Sequence, residues 1–533
     1  MTKIYALLVA LMCCSFALEA QTVTIPANVD GDAGFPFTYL DRFIDGDTTA
    51  AGDRNGTETY LLEAGGIYFF SKVNRWTFDV NLAATGDVAT LGRPLVDRLN
   101  PTGGSNLVEM FRGEGGFTWD GIYIIMGDEG PLAAAYETAS FRPEGDSTTY
   151  SWNDCIIEKS RQGTIRSEGD FVTVKITNSI LRNFGDYARQ QGNGRIVDLR
   201  TNFGDTVIIK NNVIHNTLDR IYIGFRQQGL NYFEFSKNTV FNHVGRHGFI
   251  QMKNTKETVI TDNFIQNPSI IGSSPWLANE QINLKDMSTP IFTLDTIVAG
   301  GSVTMRNNNV HWTQDVLDHY MNFDSVVQPE LFSPTFIAAM TNDVADATFE
   351  EVLELNDVPS RERLITYSEE AILFKDSVGI TNIMVEDSLF AVGTDYATGR
   401  LLYNFDRFSP CYDPTSMSAT GATDGGAVGA TGFCADLVNS VRPAAYNPFL
   451  QLTAAPNPAN DMISFNYELS VAGKIDLSIF DVRGARVANV VTGDQVPGSH
   501  SITYNKLGNL ATGMYIAAIR TPEGKMFVKF YKN

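Results

Sequence analysis

A chain of 533 residues, 43% hydrophobic and 19% charged, is long enough for more than one domain and apolar enough to bury a large core, which excludes a disordered polypeptide. Forty basic against 61 acidic residues leave a net charge of −21, and such a surface excludes nucleic acid as a ready partner. Any basic cluster on that background is correspondingly informative.

The first residues, MTKIYALLVALMCCSFALEAQ, set Lys3 before an apolar run from Ile4 to Leu18 and a small residue, Ala20, before Gln21. This predicts a signal peptide over residues 1–20 and an exported mature chain. Cys155, Cys411 and Cys434 remain after its removal, too few for a disulfide scaffold and without metal-ligand spacing; Cys411 and Cys434 could bridge across a Gly- and Ala-rich loop. No later segment is apolar for long enough to span a bilayer. Residues 21–59 read as a lead-in and cap. Their Asp30-Gly31-Asp32 and Asp45-Gly46-Asp47 are turn chemistry, so no cofactor is evident and calcium lacks a supporting cluster of acids.

From about residue 60 to 440 the chain repeats itself. Five segments end in a basic residue: Gly163 to Arg166, Val197 to Arg200, Ile223 to Arg226, Ile250 to Lys253 and Ile282 to Lys285, with steps of 34, 26, 27 and 32. Each precedes a polar turn and a second alternating strand. Then comes Asn or Asp and an apolar pair: Asp154, Asn178, Asn211, Asn238, Asp262 and Asn307, of which Asn238 fits only with a one-residue slip. Short alternating strands at this period predict a parallel β-solenoid. Val197, Ile223, Ile250 and Ile282 would form one inward column, and Ile165, Leu199, Phe225, Met252 and Leu284 a second. Arg166, Arg200, Arg226, Lys253 and Lys285 would then form one outward row, about 4.8 Å per step. Residues 325–375 look partly helical, fit no coil and read as an insertion or cap.

After a linker at 441–453, residues 454–533 show closely spaced alternating strands, which predict a small immunoglobulin-like β-sandwich. The overall class is all-β.

The coils, with an asparagine recurring at the internal turn, resemble the right-handed parallel β-helix of the pectin-lyase-like superfamily. Ile44-Asp-Gly-Asp-Thr and Tyr60-Leu-Leu-Glu-Ala-Gly-Gly-Ile-Tyr resemble the lead-in to its first coil, and Phe408-Ser-Pro-Cys-Tyr-Asp with Thr423-Asp-Gly-Gly-Ala-Val-Gly-Ala resemble the closing motif of Bacteroidetes β-helix proteins. Pro456-Asn457-Pro458, Phe480-Asp-Val-Arg-Gly, Leu510-Ala-Thr-Gly-Met-Tyr and the basic tail Lys525 to Lys532 resemble the type IX secretion C-terminal sorting domain. That second resemblance implies recognition by the type IX machinery and an extracellular or cell-surface destination.

The basic row has two readings. As a surface row it is softened by Asp198 and Glu168, each two residues from an arginine and on the same face. As a groove it suits an acidic polysaccharide, whose carboxylates or sulfates match regularly placed cations. The superfamily resemblance implies a lyase: a cation neutralises the uronate carboxylate and a base takes the C5 proton, roles that fall to Arg226 and Lys253. The alternative is a non-catalytic adhesion or surface-layer protein in which the solenoid is a rigid spacer. His243 and His247 are spaced i, i+4, but in a solenoid loop that spacing does not make a zinc pair.

Overall fold

The computed structural model describes residues 21–30, 37–98, 109–126, 141–160, 163–185, 194–224, 226–245, 247–273, 290–323, 326–356, 358–374, 391–395, 400–403, 409–434, 452–469, 472–481, 486–521 and 524–533. The signal peptide, Asp32, Phe225, Ile282, Leu284, Lys285 and the linker up to residue 451 lie outside them. The chain forms two compact units, 1–439 and 440–533.

The first unit is a parallel β-helix. Each central coil gives one strand to each of three all-parallel sheets; Arg195–Leu199, Phe203–Lys210 and Val213–Thr217 are one such coil. The second of these strands belongs to a ten-stranded sheet, here sheet 1; the third to an eleven-stranded sheet 2; and the first to a five-stranded sheet 3. Alternation turns every second side chain inward. Ile157, Leu181, Ile214, Val240 and Ile265 stack in sheet 2, and Ile165, Val197, Tyr222, Ile250 and Phe292 in sheet 3, all fully buried. Burying each such side chain contributes about 1.5–3 kcal/mol, which makes the columns the main source of stability.

The turn from sheet 1 to sheet 2 uses two residues with different tasks. The first, at Asp154, Asn178, Asn211, Lys237, Asp262 and Asn307, has φ between 51° and 60°, the left-handed region that Asn and Asp tolerate best. The second, at Ser179, Asn212, Asn238, Asn263 and Asn308, is buried and forms a ladder. Asn238 Oδ1 accepts from Asn212 N (3.0 Å) and Nδ2 (3.1 Å), while Asn238 N and Nδ2 donate to Asn263 Oδ1 at 2.9 and 3.0 Å. The slip at Asn238 is thereby resolved: Lys237 takes the place aligned with Asn211, and Asn238 belongs to the ladder. A further left-handed column, Asn183, Asn216, Asn242 and Asn267, closes the far end of sheet 2.

Two boundary expectations are corrected. Thr22–Ile25 pairs with Thr59–Glu63 and Thr38–Tyr39 pairs with Ile67–Phe70, so the lead-in is already the first coil rather than a cap before it. The 325–375 segment carries helices Pro334–Ala339 and Glu362–Phe374, yet Phe332 bridges Phe292, Met340 bridges Val303 and Thr348–Phe349 pairs with Asn308–Asn309, so its first half completes a last coil. The strand that follows Ile250–Met252 in sheet 3 is Phe292–Leu294, while 282–285 lie outside the described residues: Met252 pairs with Leu294, and Ile291 to Asp295 carries the alternation that the inward columns need.

The outward face of sheet 2 is covered. Tyr412 stacks on Phe264 (4.8 Å, 10°), Ala430 N donates to Thr239 Oγ1 (2.9 Å), and a disulfide joins Cys411 to Cys434. Gly429 is obligatory here: its φ is +87° and a Cβ would lie 2.5 Å from Thr239 Oγ1.

The second unit is an antiparallel sandwich. One sheet has Thr453–Ala455, Ile463–Leu469 and Gly498–Tyr504; the other has Gly473–Asp481, Arg486–Gln495, Gly513–Thr521 and Gly524–Lys532. Phe465, Leu477, Ile479, Ile519 and Phe530 fill the space between.

Candidate functional site

The outward face of sheet 3 carries the basic residues, but not as one row. Ile165 pairs with Val197, so Arg166 sits opposite Asp198, and the column continues through Ile223, Gln251 and Thr293. Arg200 N donates to Ser167 O and Asp295 N to Met252 O, which sets Glu168 beside Arg200 and Lys253 beside Asp295 in the other outward column. Among the described residues the expected single column of Arg166, Arg200, Arg226 and Lys253 is therefore corrected, Lys285 lying outside them: cations and carboxylates interleave, Arg166 with Asp198 in one column and Glu168, Arg200, Lys253 and Asp295 in the other. The reason lies in the core: register is set by the inward side chains, and the outward charges follow it. The outcome is also favourable, since like charges about 4.8 Å apart repel by roughly 3–4 kcal/mol at an effective dielectric near 20, whereas alternating signs attract.

Ion pairs join these residues into two groups. In the first, Glu168 accepts from Arg142 (2.7 Å) and pairs with Arg166 (2.8 Å), and Glu109 pairs with Arg142 (2.9 Å) and Arg112 (2.7 Å). Burial, then the charges of Arg200 and Arg142, pushes Arg166 below its ordinary value. In the second group, one oxygen of buried Asp198 serves three guanidiniums: Arg195 at 3.1 Å, Arg200 at 3.0 Å and Arg226 at 3.4 Å. Asp219, fully buried, takes Arg195 (3.1 Å), Arg220 (3.2 Å) and His247 (3.0 Å), and these neighbours hold its carboxyl well below the usual range against the opposing effect of burial. Four arginines thus share two carboxylates, and Asp198 Oδ1 is buried without a hydrogen bond. Burial pushes the Arg226 guanidinium below its ordinary value; Asp198 opposes this, and the charges of Arg200, Arg195 and Arg220 reinforce it. About a third of the Arg226 side chain still meets solvent (34%).

Lys253 lies beside Asp295, whose carboxyl burial pushes up although Lys253 and Gln251 act against this. The register of these neighbouring coils sets Tyr222 opposite Ile250 and Ile223 opposite Gln251, so Arg226 and Lys253 are not opposite each other. His243 and His247 do not converge: His243 bonds Thr217 at 2.6 Å and is pushed down to about 4 by burial, while His247 faces Asp219. Asp45 accepts from Trp76 Nε1 (2.8 Å), and Asp47 from Asn55 (2.6 Å) and Tyr60 (2.8 Å), so these side chains bond partners 8 to 31 residues away rather than their own turns.

Sequence reasoning missed Arg195, Asp219 and Arg220, which are buried and organise the site. The available signal was a charged residue inside an apolar run, as in Arg195-Ile-Val-Asp198 and Asp219-Arg220-Ile-Tyr. It also missed the buried pair on sheet 2, Glu158 with Arg182 at 2.6 Å, joined by the Tyr123 hydroxyl.

In the sandwich, two features that stand far apart in sequence come together. Asn457 Nδ2 donates to Lys529 O (3.2 Å), Tyr531 N donates to Asn457 Oδ1 (2.9 Å), and Ala459 bridges Lys532. The Pro-Asn-Pro turn is thus fastened to the basic terminal strand. Residues 453–533 match the secretion system C-terminal sorting domain. The sorting domain marks the chain as cargo of type IX secretion, with an extracellular or outer-surface destination. No curated protein matches the chain. Among the described residues no helix is long and apolar enough to cross a membrane.

Proposed function

We propose that this exported β-helix binds an acidic polysaccharide along the outward face of sheet 3, through Arg166, Arg200, Arg226 and Lys253, with Lys285 as a sequence-level candidate outside the described residues. The observation that carries the reading is the sharing of one Asp198 oxygen by three arginines, one of them a third exposed, on a chain whose net charge is −21. The guanidinium that reaches solvent there can meet a carboxylate or sulfate in the geometry that guanidinium favours. The three-sheet coil with its asparagine ladder supports the pectin-lyase-like resemblance and, with it, this substrate class.

The test is titration with alginate, pectate and chondroitin sulfate at rising salt. Affinity should fall as salt rises, because exposed charge contacts are screened. Changing Arg226 and Lys253 together to Ala should cost about 2–6 kcal/mol if both contacts are desolvated and much less if they stay wet. Unchanged affinity for all three would leave the solenoid as a spacer in an adhesion or surface-layer protein.

Cleavage by β-elimination is a second reading, favoured by Asp295. A carboxyl raised by burial beside Lys253 is suited to proton transfer, with Arg226 neutralising the uronate. Absorbance of unsaturated ends should then appear with one of the three glycans and vanish in Lys253→Ala. Binding without new absorbance would leave a binder.

A further inference from the structure

We propose that Phe171 and Phe203 form a stacking platform for an anionic pyranose ring of the glycan, at the corner where sheet 3 turns into sheet 1. This rests on the glycan reading above and assigns it a subsite that charge alone does not provide. The two rings come from neighbouring coils, lie parallel (8°) with centroids 6.0 Å apart, and are 50% and 44% exposed. They contribute little to the core, yet their backbone is tightly held. Phe171 N donates to Phe203 O (2.6 Å), and the Asp170 carboxylate accepts from Thr201 Oγ1, Asn202 N (2.8 Å) and Phe203 N (3.3 Å).

Phe171 itself has φ +55°, while Ser147 and Asn254 are the other left-handed residues at this corner. A bulky aromatic there is strained, the kind of strain that clusters at ligand sites. The next residue in register after Phe203 is Gly229, so no side chain from that coil covers the ring; a Cβ would sit 3.3 Å from Phe203 Cδ1. The coil with Gly229 also carries Arg226, three residues earlier. A pyranose presents an apolar C–H face, which packs on the negative face of a phenyl ring, and an edge whose carboxylate or sulfate can reach a guanidinium. A platform ordered before the ligand arrives loses little further freedom on binding.

The test compares the wild-type chain, Phe171→Ala/Phe203→Ala, Phe203→Tyr and Arg226→Ala for binding to pectate, alginate and chondroitin sulfate, at low and at high salt. The double variant should lose about tenfold in affinity by the same factor at both salts, since a stacking contact is not screened. Phe203→Tyr should keep its affinity, and the Arg226→Ala loss should shrink at high salt. Unfolding followed by tryptophan fluorescence confirms that each variant folds. Wild-type affinity in the double variant overturns the platform and leaves the charge site standing. Loss in the double variant without loss in Arg226→Ala supports the platform and refutes the charge site. Failure of all three glycans to bind the wild-type chain overturns both.

Discussion

Glu158 and Arg182 on the outward face of sheet 2 are both buried and meet at 2.6 Å, whereas on sheet 3 Asp198 divides one oxygen among three arginines and leaves Arg226 partly in solvent. Successive coils supply both faces. On sheet 2 the charges lie beside apolar side chains sealed under the 411–434 segment, and the pair serves the fold. On sheet 3 the arginines around Asp198 are not sealed, and about a third of the Arg226 side chain meets solvent. Glu158 also has buried Lys159 at 3.9 Å, and this group, closed to solvent, is structural; the sheet 3 group, open at Arg226, is where an external anion can reach the cations.

Variants can break or sharpen this contrast. All five tryptophans precede residue 440, so their fluorescence reports unfolding of the β-helix alone. Arg182→Ala should have the largest effect, about 3–5 kcal/mol of stability lost, because Glu158 keeps its charge in a dry site. Saturating pectate should recover none of it. Replacing Cys411 and Cys434 by Ser frees the cover of sheet 2 and should cost about 3 kcal/mol by loop entropy across their separation of 23 residues, again without recovery. Asp198→Ala should cost about 2 kcal/mol in urea unfolding, and here pectate should restore part of the loss, since a bound carboxylate replaces the missing one and stabilises the native state. Equal behaviour of Arg182→Ala and Asp198→Ala in pectate would erase the distinction between the faces.

The smallest expected effect is a pH dependence. Burial raises the Glu168 carboxyl, but the hydrogen bond from Arg142 and the charges of Arg142, Arg166 and Arg112 outweigh it and hold the group below its ordinary 4.5. A depressed carboxylate contributes stability above 4.5 that disappears as pH falls through its lower native value. Because the pair is partly exposed, the contribution is under about 1 kcal/mol. Glu168→Gln should therefore lower stability near neutrality by under about 1 kcal/mol, leave it unchanged at pH values below the native pKa, and so flatten the acid limb slightly.

The period, the alternation and the left-handed turn residues were legible in the sequence, since each follows from local chemistry: inward apolar residues every second position and Asn or Asp where φ is positive. Register was not. Arg166, Arg200 and Arg226 look equivalent by type, but outward side chains place no constraint on how coils align. The buried second turn residue does, because it hydrogen-bonds its counterpart on the next coil. The doublets Asn211-Asn212, Lys237-Asn238, Asp262-Asn263 and Asn307-Asn308 carried that information, and reading the first member of three and the second of the other produced the apparent slip. Likewise the basic residue type points to Lys285, whereas the inward pair Phe292 and Leu294 points to the strand that ends before Asp295.

The asparagine ladder closes across steps of 33, 26, 25 and 45 residues with the same hydrogen bonds. The longest step takes most of its extra length between Gln266 and Phe292, and the next longest takes much of its own between Phe184 and Arg195; both intervals lie where sheet 2 gives way to sheet 3. The pitch of the scaffold is thus insulated from the length of one particular border. Insertions can be written or erased there without disturbing a rung, so the rim of the sheet 3 face is free to diverge among related chains while its floor is not.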